Sequence, residues 1–259
     1  MNQQFVSIDP KAKIGKNVQI GSFVTISENV EIGDGSIIMP HATILPGARI
    51  GKNCKIFPNA VIAGIPQDLK FVGEETTAEI GDDTTIRECA TVNRGTASKG
   101  KTVIGSNCLI MAYSHIAHDC NLGNNIIIGN ASQIAGEVIM DDFAILSGGS
   151  LVHQFTRIGA HVMIQGGSRL GKDIPPYIVA GREPICYAGI NIVGLKRRGF
   201  PIEQIDEIQN IYRVLYMSGL NTTQALDKID SEFKDSEWKK NILDFVKNST
   251  RGIVKGPTA

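Results

Sequence analysis

The chain has 259 residues, and its 26 Lys and Arg side chains balance 26 Asp and Glu side chains, so the formal net charge is zero. This balance argues against a nucleic-acid binder and leaves only local patches for a charged partner. Aromatic residues make up 6% and glycines number 28. We therefore expect a core of small aliphatic side chains, in one large domain with a small second one.

The N-terminal segment MNQQFVSIDP has neither a basic start nor an apolar run, so we expect no signal peptide. The chain has no uninterrupted apolar stretch long enough to cross a bilayer, which predicts no membrane span. Its cysteines are odd in number and lack CxxC spacing, which favours a reduced, cytoplasmic protein. They are Cys54, Cys89, Cys108, Cys120 and Cys186.

Aliphatic residues recur at every sixth position from Ile8 to Leu170. Of the 28 positions in this register, 25 hold Ile, Leu, Val or Met, and the exceptions are Asp68, Glu74 and Ser98. A period of six fits neither an α-helix nor a simple alternating strand. It predicts an all-β left-handed parallel β-helix, in which each coil of three hexapeptides places three short strands around a triangular core. Successive coils would pair as parallel strands about 4.8 Å apart.

A second inward position lies four residues after each aliphatic one. Small or branched side chains there let the flat faces close, and stability accumulates along the stack of coils. The position holds Val18, Val24, Val30, Ala42, Ala48, Cys54, Ala60, Cys108, Ser114 and Cys120.

Two polar stretches leave the hexapeptide register, at about residues 64–78 and 93–101. We expect both to be loops that project from the rigid β-helix, where functional residues are often found.

The register ends after Leu170, and residues 172–184 (KDIPPYIVAGREP) have the composition of a linker. Beyond Phe200 the apolar period becomes helical. It predicts a helix ending near Gly219, a second capped by Thr222 and ending near Phe233, and a third that contains Trp238, Ile242, Phe245 and Val246. We expect a β-helix over residues 1–185 and a helical domain over residues 186–259.

Two of the five histidines lie together in the segment Ser114–Cys120, and His118 falls near a corner between two inward residues. We expect its side chain to face outward. Since each coil spans three hexapeptide repeats, Gly136 should stack directly on His118. An imidazole is suited to general base catalysis near neutral pH, and an uncrowded backbone N–H can stabilise an oxyanion. Asp119 would orient the imidazole, and His153 and Gln154 would continue this polar edge.

Simpler interpretations stand beside this one. A surface histidine of a β-solenoid is usually a solvated polar residue, and the histidine pair also suggests a metal site, although no second close pair completes one. Cys54, Cys108 and Cys120 are expected in the core, and His41 and His161 receive no role.

Five motifs occur in order along nearly the whole chain: Gly64–Lys70 (GIPQDLK), Asn93–Thr96 (NRGT), His115–Cys120 (HIAHDC), Val152–Phe155 (VHQF) and Gly194–Phe200 (GLKRRGF). In these motifs the chain resembles the UDP-N-acetylglucosamine O-acyltransferase family. The resemblance implies transfer of an (R)-3-hydroxyacyl chain from acyl carrier protein to the 3-hydroxyl of UDP-N-acetylglucosamine, the first step of lipid A biosynthesis.

The resemblance also implies roles for individual residues. His118 would be the general base, Asp119 its support, and the Gly136 N–H the oxyanion donor. The implied substrate-binding residues are Gln67, Asp68, Lys70, His115, His153, Gln154, Asn191, Arg197 and Arg198, with one or both of the two arginines acting.

Further expectations concern partners and cofactors. The resemblance implies a homotrimer with active sites between subunits, no metal, and no cofactor, because the acyl donor is carried on the phosphopantetheine of acyl carrier protein. Basic residues of the C-terminal region, beside the run at 196–198, are expected to bind this acidic carrier. They are Lys239, Lys240, Lys247, Arg251 and Lys255. The run at 196–198 is alternatively a solvated turn.

Alignment with the family places Gly166 at the position of the residue that limits the acyl groove. A glycine there implies a long hydroxyacyl chain, although Gln165 beside it would close part of the groove. Gly166 is alternatively a corner glycine required by the backbone. Two departures, Glu137 where the family often has His and Val193 where it has an acid, leave acceptance of a 3-amino sugar open.

Three other functions remain possible from the sequence. The sister N-acyltransferase carries an extra N-terminal domain, for which repeats beginning at Ile8 leave no room. A γ-carbonic-anhydrase-like hydratase would hold a metal between subunits. A purely structural solenoid would lose nothing when His118 is changed.

Overall fold

A computed structural model describes residues 5–256, which form a left-handed parallel β-helix followed by four α-helices. Residues 1–4 and 257–259 lie outside the described part. The prediction of no signal peptide rests in part on residues 1–4 and stays a prediction. The β-helix and the helices after it confirm the predicted fold class.

The β-helix has three sheets, one for each side of the triangular coil. The first sheet contains Ser7–Ile8, Thr25–Ile26, Thr43–Ile44, Val61–Gly64, Thr91–Asn93, His115–Ile116, Gln133–Ile134, Leu151–Val152 and Arg169–Leu170. The second sheet contains Lys13–Ile14, Glu31–Ile32, Ala48–Ile50, Thr77–Ile80, Lys101–Ile104, Asn121–Leu122, Ile139–Met140 and Arg157–Ile158. The third sheet contains Gln19–Ile20, Ile37–Ile38, Lys55–Ile56, Thr85–Ile86, Leu109–Ile110, Ile127–Ile128, Ile145–Leu146, Met163–Ile164, Ile178–Gly181 and Cys186–Ile190.

The core follows from the hexapeptide repeat. Residues one coil apart face each other across parallel pairs wherever no loop intervenes, as Ile116 faces Ile134. The second residue of most strands is an inward aliphatic side chain and is buried. The second inward position is also buried, with Ala42, Cys54 and Cys108 as examples. Full burial of each isoleucine contributes about 1.5–3 kcal/mol.

The expected linker after Leu170 is wrong. Ile174 bridges to Ile158, and strand Ile178–Gly181 continues the third sheet in parallel with Met163–Ile164. Strand Cys186–Ile190 then pairs with it in the antiparallel direction. The predicted domain boundary between residues 185 and 186 stays a prediction. The strand Cys186–Ile190, which belongs to the third sheet, begins immediately after this boundary.

The helices are α1 (Ile192–Arg197), α2 (Ile202–Met217), α3 (Thr222–Glu232) and α4 (Glu237–Lys247). Three lie where the helical period predicts them. The short α1 was not expected. Residues 196 and 197 lie in this helix, so the alternative of a solvated turn is wrong for them. The cap of α3 is also corrected: Asn221 caps it, and the Asn221 and Gln224 side chains form a reciprocal capping box.

The helices pack on the C-terminal end of the β-helix through specific contacts. The Tyr212 hydroxyl donates a hydrogen bond of 2.6 Å to the Pro176 carbonyl. The Asn241 amide donates to the Tyr177 hydroxyl at 3.0 Å, and the Ser249 hydroxyl donates to Asp173 at 2.6 Å. These bonds attach the helices to the last coil.

Lys239 does not belong to an exposed basic patch, because it is only 3% exposed. Its amine donates hydrogen bonds to the carbonyls of Asp230 and Phe233, both at 2.9 Å, and to the Asp235 carboxylate at 3.0 Å. Lys239 therefore joins the C-terminal end of α3 to α4.

We expect Lys239→Met to destabilise the helical domain by about 1–3 kcal/mol, because two partly buried carbonyls and the Asp235 carboxylate lose their donor. The matched control is Lys240→Met, which removes an exposed lysine that pairs with Asp244 at 2.9 Å on the same helix. Thermal midpoints measured at one protein concentration test this, with a much smaller loss expected for the control. An equal fall in the thermal midpoint of both variants would show that the Lys239 contacts stabilise the protein no more than the exposed Lys240–Asp244 pair does.

Candidate active site

A groove of about 710 Å³ runs along the outer face of the first sheet and one of its corners. Six of the residues expected at the site line it, which brings the residues of separate motifs to one place. They are Gln67, His115, His118, Gly136, His153 and Gln154.

His118 lies at the corner between the first and second sheets, outside the aliphatic core. It faces out of the core as expected, but it is only 8% exposed, because Asp68 of the first loop and Gly136 of the next coil lie against the ring. Its Nδ1 lies 2.8 Å from an Asp119 carboxylate oxygen. Since an ionised carboxylate can only accept, Nδ1 is the donor in this bond, and in the neutral ring Nε2 keeps its lone pair.

Asp119 is buried and held by several donors. The Thr96 N–H donates to Oδ1 at 2.9 Å, and the Thr96 hydroxyl donates to Oδ2 at 2.6 Å. Burial alone would raise the pKa of Asp119, but the hydrogen bonds from Thr96 and His118 hold that pKa below its usual range. Asp119 therefore stays ionised and can orient the imidazole.

Gly136 stacks on His118, as the length of one coil predicts. A Cβ atom at position 136 would lie 2.6 Å from His118 Cε1 and 2.7 Å from Nε2, so any side chain there would displace the imidazole. Within residues 5–256 the Gly136 N–H donates no hydrogen bond. The corner thus holds a free donor directly beside the imidazole.

Asp68 and His115 flank the imidazole. The nearest Asp68 carboxylate oxygen lies 4.0 Å from His118 Nε2. His115 Nδ1 lies 2.7 Å from the Thr91 hydroxyl, and burial and the neighbouring His118 lower the pKa of His115. The Lys70 N–H donates to Asp68 at 2.9 Å, while the Lys70 side chain is exposed.

Among the groove residues that were not expected from the sequence, three present outward side chains: Gln133, Leu151 and Arg169. They face outward in register with His115 along the first sheet. Counting one full coil at a time from His115 reaches all three residues. Their place in the groove could therefore be predicted from the repeat. Together with His153 and Gln154 they form the end of the groove that lies away from the loops.

Asn191, Arg197 and Arg198 do not line the groove of this chain. The Asn191 side chain caps α1, accepting from the Gly194 N–H at 3.1 Å and donating to the His161 carbonyl at 2.8 Å. Arg198 is half-buried and donates to the Phe143 carbonyl at 3.1 Å. Arg197 is exposed.

His161 packs in an aromatic cluster beneath α1. Its ring stacks on Phe143 with centroids 4.9 Å apart and meets Phe200 edge-on at 5.1 Å. Burial and the charge of Arg198 lower the pKa of His161 to about 4. The ring is therefore neutral near pH 7 and supports α1 by packing.

Gly166 lies at the corner between the third and first sheets, outside the lining of the groove. Its φ is not positive, whereas that of Gly167 is 73°, so the backbone does not require glycine at 166. The Gln165 side chain accepts from the Arg182 N–H at 3.1 Å. Of the two departures, Glu137 is half-buried and Val193 is exposed.

Other features of the described residues bear on the class of protein. No group of three His, Cys, Asp or Glu side chains within residues 5–256 forms a candidate metal site. None of the helices there is both long and apolar enough to cross a membrane. All five cysteines are free, and four of them are buried.

Comparisons with known proteins agree with the fold. Residues 173–254 match the family described as Udp N-acetylglucosamine O-acyltransferase, Domain 2. Residues 11–46, 29–64 and 101–136 match the bacterial transferase hexapeptide family.

Several relatives match along almost the whole chain. The acyl-[acyl-carrier-protein]–UDP-N-acetylglucosamine O-acyltransferase of Stenotrophomonas maltophilia is 45% identical over 96% of this chain and 95% of its own. The solved UDP-N-acetylglucosamine acyltransferase of Bacteroides fragilis is 57% identical, with a TM-score of 0.97, and covers 98% of this chain and 100% of its own. The Arabidopsis enzyme is 32% identical, with a TM-score of 0.87, over 98% and 100%.

The fold and the site together define an acyltransferase of the hexapeptide-repeat, left-handed β-helix class. The relatives narrow this class further. The chain belongs to the UDP-N-acetylglucosamine O-acyltransferase family.

Proposed function

We propose that this enzyme transfers an (R)-3-hydroxyacyl chain from acyl carrier protein to the 3-hydroxyl of UDP-N-acetylglucosamine, in the first step of lipid A biosynthesis. The names of its relatives support the donor and the acceptor. The observation that carries the proposal is the His118–Asp119 pair, bonded at 2.8 Å, with the free Gly136 N–H stacked upon it.

His118 Nε2 takes the proton of the sugar hydroxyl as its oxygen attacks the thioester carbonyl. Asp119 stabilises the imidazolium that forms, as the carboxylate does in a Ser-His-Asp triad. The Gly136 N–H donates to the oxyanion of the tetrahedral intermediate. Collapse of this intermediate breaks the carbon–sulfur bond, and the imidazolium returns its proton to the departing thiolate. No enzyme nucleophile is needed, because the thioester is already activated.

The remaining predicted residues hold the substrates in this proposal. Asp68, Lys70, His115 and Gln67 contact the sugar and anchor the substrates near His118, while His153 and Gln154 contact the nucleotide-sugar along the corner. Asn191 and one or both of Arg197 and Arg198 bind the nucleotide-sugar in the active site of a neighbouring subunit.

The outer face of the third sheet supports the homotrimer of this proposal. Outward side chains of five successive coils are apolar there and stack in register: Leu109, Ile127, Ile145, Met163 and Val179. The outward row of the second sheet at the matching coils is mixed, with Val103, Asn121, Ile139 and Arg157. A second copy covering the apolar stripe would complete the site between two subunits.

The proposal requires no cofactor beyond the phosphopantetheine that carries the acyl group, and no metal. Free cysteines suit a reducing compartment, so we place the reaction in the cytoplasm.

Incubation of the purified protein with UDP-N-acetylglucosamine and a panel of hydroxyacyl carrier proteins tests the proposed function. We expect an ester on the sugar 3-hydroxyl and release of the free carrier thiol. Release of thiol without a sugar ester, or no reaction with any donor of the panel, would contradict the proposal.

Binding of the acidic carrier is expected to weaken with salt and with removal of basic residues. The relevant exposed residues are Lys196, Arg197, Lys240, Lys247 and Lys255. The KM for the carrier measured at several salt concentrations tests this, with Lys11→Gln at the N-terminal end as the control variant. A KM that does not respond to salt would remove the patch from the proposal.

Gly166 is proposed to limit the length of the acyl chain. A Cβ there would lie 3.2 Å from the Gly148 carbonyl oxygen, so a larger side chain fits with a small adjustment. We expect Gly166→Met to lower kcat/KM for long hydroxyacyl chains about 10-fold or more while sparing short ones, since one lost methylene contact is worth about 1–3 kcal/mol. A uniform loss across all chain lengths, with lower stability, would instead make Gly166 a structural corner.

A further inference from the structure

The two loops that leave the β-helix are joined to each other over the active site. The Glu74 carboxylate accepts from the Ala97 N–H at 2.9 Å, and the Thr76 hydroxyl donates to the Gly95 carbonyl at 2.6 Å. The Asn93 amide also donates to the Ile65 carbonyl at 3.1 Å. Loop residues 65–76 and 94–100 therefore form one cover rather than two independent segments.

Through this cover, Thr96 reaches Asp119. Thr96 is only 6% exposed, and its N–H and hydroxyl bond both oxygens of the carboxylate at 2.9 Å and 2.6 Å. The Asp119 N–H is fixed as well, donating to the Thr102 hydroxyl at 2.8 Å. The carboxylate thus has a single orientation, with Oδ2 facing His118.

The direction of the Thr96 hydroxyl bond is determined by its other partner. The Ser98 N–H donates to the Thr96 hydroxyl oxygen at 3.2 Å, so the hydroxyl proton is free to point at Asp119. A hydrogen bond to a charged acceptor is stronger than one between neutral groups. Oδ2 therefore receives two donors, the Thr96 hydroxyl and His118 Nδ1.

We propose that Thr96 is a positioning residue for the reaction: it fixes the Asp119 carboxylate and thereby keeps the His118 proton on Nδ1 and the lone pair on Nε2. The inference rests on the proposed function for its kinetic consequence, but the position of the proton can be measured without any substrate. Thr96 contacts neither the imidazole nor the groove, so it acts entirely through Asp119.

Thr96→Val keeps the branched shape and the backbone N–H but removes the hydroxyl. We expect kcat to fall about 10- to 100-fold with KM within about 3-fold, since a hydrogen bond to a charged group is lost. Thr96→Ser retains both donors and should restore most of kcat. If the valine variant fails to fold, as judged by its thermal midpoint, Thr96→Ala provides the same loss without the extra methyl group.

The matched control is Thr76→Val, which removes an equally buried hydroxyl from the same cover without touching Asp119. We expect it to cost much less in kcat. Equal losses in Thr76→Val and Thr96→Val would show that packing of the loops, rather than Asp119, is responsible, and would overturn the inference.

Nitrogen NMR of ¹⁵N-histidine-labelled protein reads the tautomer directly, with the His118 signals assigned by their absence in His118→Gln. We expect a protonated Nδ1 in the wild type and in Thr96→Ser, and averaged nitrogen shifts in Thr96→Val. Unchanged shifts in Thr96→Val would overturn the inference even if kcat fell. Absence of acyl transfer by the wild type would sink the proposed function alone, since the NMR outcome would still decide the role of Thr96.

Discussion

Replacement of His118 by alanine is expected to lower kcat by about 10²- to 10⁴-fold, the usual contribution of a positioned general base. The imidazole lies outside the aliphatic core, bonded to Asp119 at 2.8 Å, so its removal should leave the coil intact. The matched control is His41→Ala, because His41 stacks on Phe23 with centroids 4.9 Å apart at a corner far along the chain.

Steady-state rates, together with thermal midpoints and the oligomer size of each variant, check this prediction. Turnover of His118→Ala close to that of the wild type would exclude His118 as the base. An equal loss in His41→Ala would instead indicate a general effect on the fold.

Gly136→Ala is expected to reduce kcat by about 10²-fold, because a displacement of about 1 Å at a catalytic group can cost that much. The new methyl group would lie 2.6 Å from His118 Cε1. The ring must therefore turn away from the position in which Nε2 faces the groove and the N–H of residue 136 faces the carbonyl oxygen. Binding of UDP-N-acetylglucosamine should change much less than kcat.

The control for this substitution is Gly148→Ala, at a different corner of the same β-helix. A Cβ there would be 3.1 Å from the Asn130 carbonyl oxygen, which small adjustments relieve. The kcat values of the two variants, measured with saturating substrates, test whether the loss is specific to position 136. A full rate for Gly136→Ala would mean that neither the stacking nor the oxyanion donor is correctly assigned.

Most of the β-helix could be predicted from the sequence because its order is strictly local. Each coil repeats the same register, so the position of Ile116 over Ile134 follows by counting one full coil along the chain. The same counting places Gly136 on His118. It also reaches Gln133, Leu151 and Arg169 from His115.

The segment after Leu170 was misjudged because its prolines resemble a linker. Pro175 and Pro176 lie at a corner between the bridge at Ile174 and the strand Ile178–Gly181. A proline lacks the N–H that a sheet uses, but among the described residues the second sheet ends with Arg157–Ile158, so no further strand needs a donor from Pro175. The coil therefore continues through a sequence that reads as its end. The short α1 was missed because so short a helix carries too little periodicity.

The environment of His118 could not be predicted, because it depends on loops that break the register. Counting fails across residues 65–76 and 94–100, so the repeat places neither Thr96 on Asp119 nor Asp68 near the imidazole. Those contacts arise from packing between segments 23 or more residues apart in the sequence. The first of these loops also brings Asp68 within 4.0 Å of the ring, which counting along the coil does not predict.

The assignment of His118 as the base is tested most directly by chemical rescue. The rate of ester formation at the sugar 3-hydroxyl would be measured for the wild type, for His118→Ala, and for His118→Ala with added imidazole, with Gly136→Ala as the control for nonspecific stimulation. We expect imidazole to restore part of the lost rate in His118→Ala, in a saturable manner, and to leave Gly136→Ala unchanged. A His118→Ala enzyme as fast as the wild type without imidazole would contradict the account.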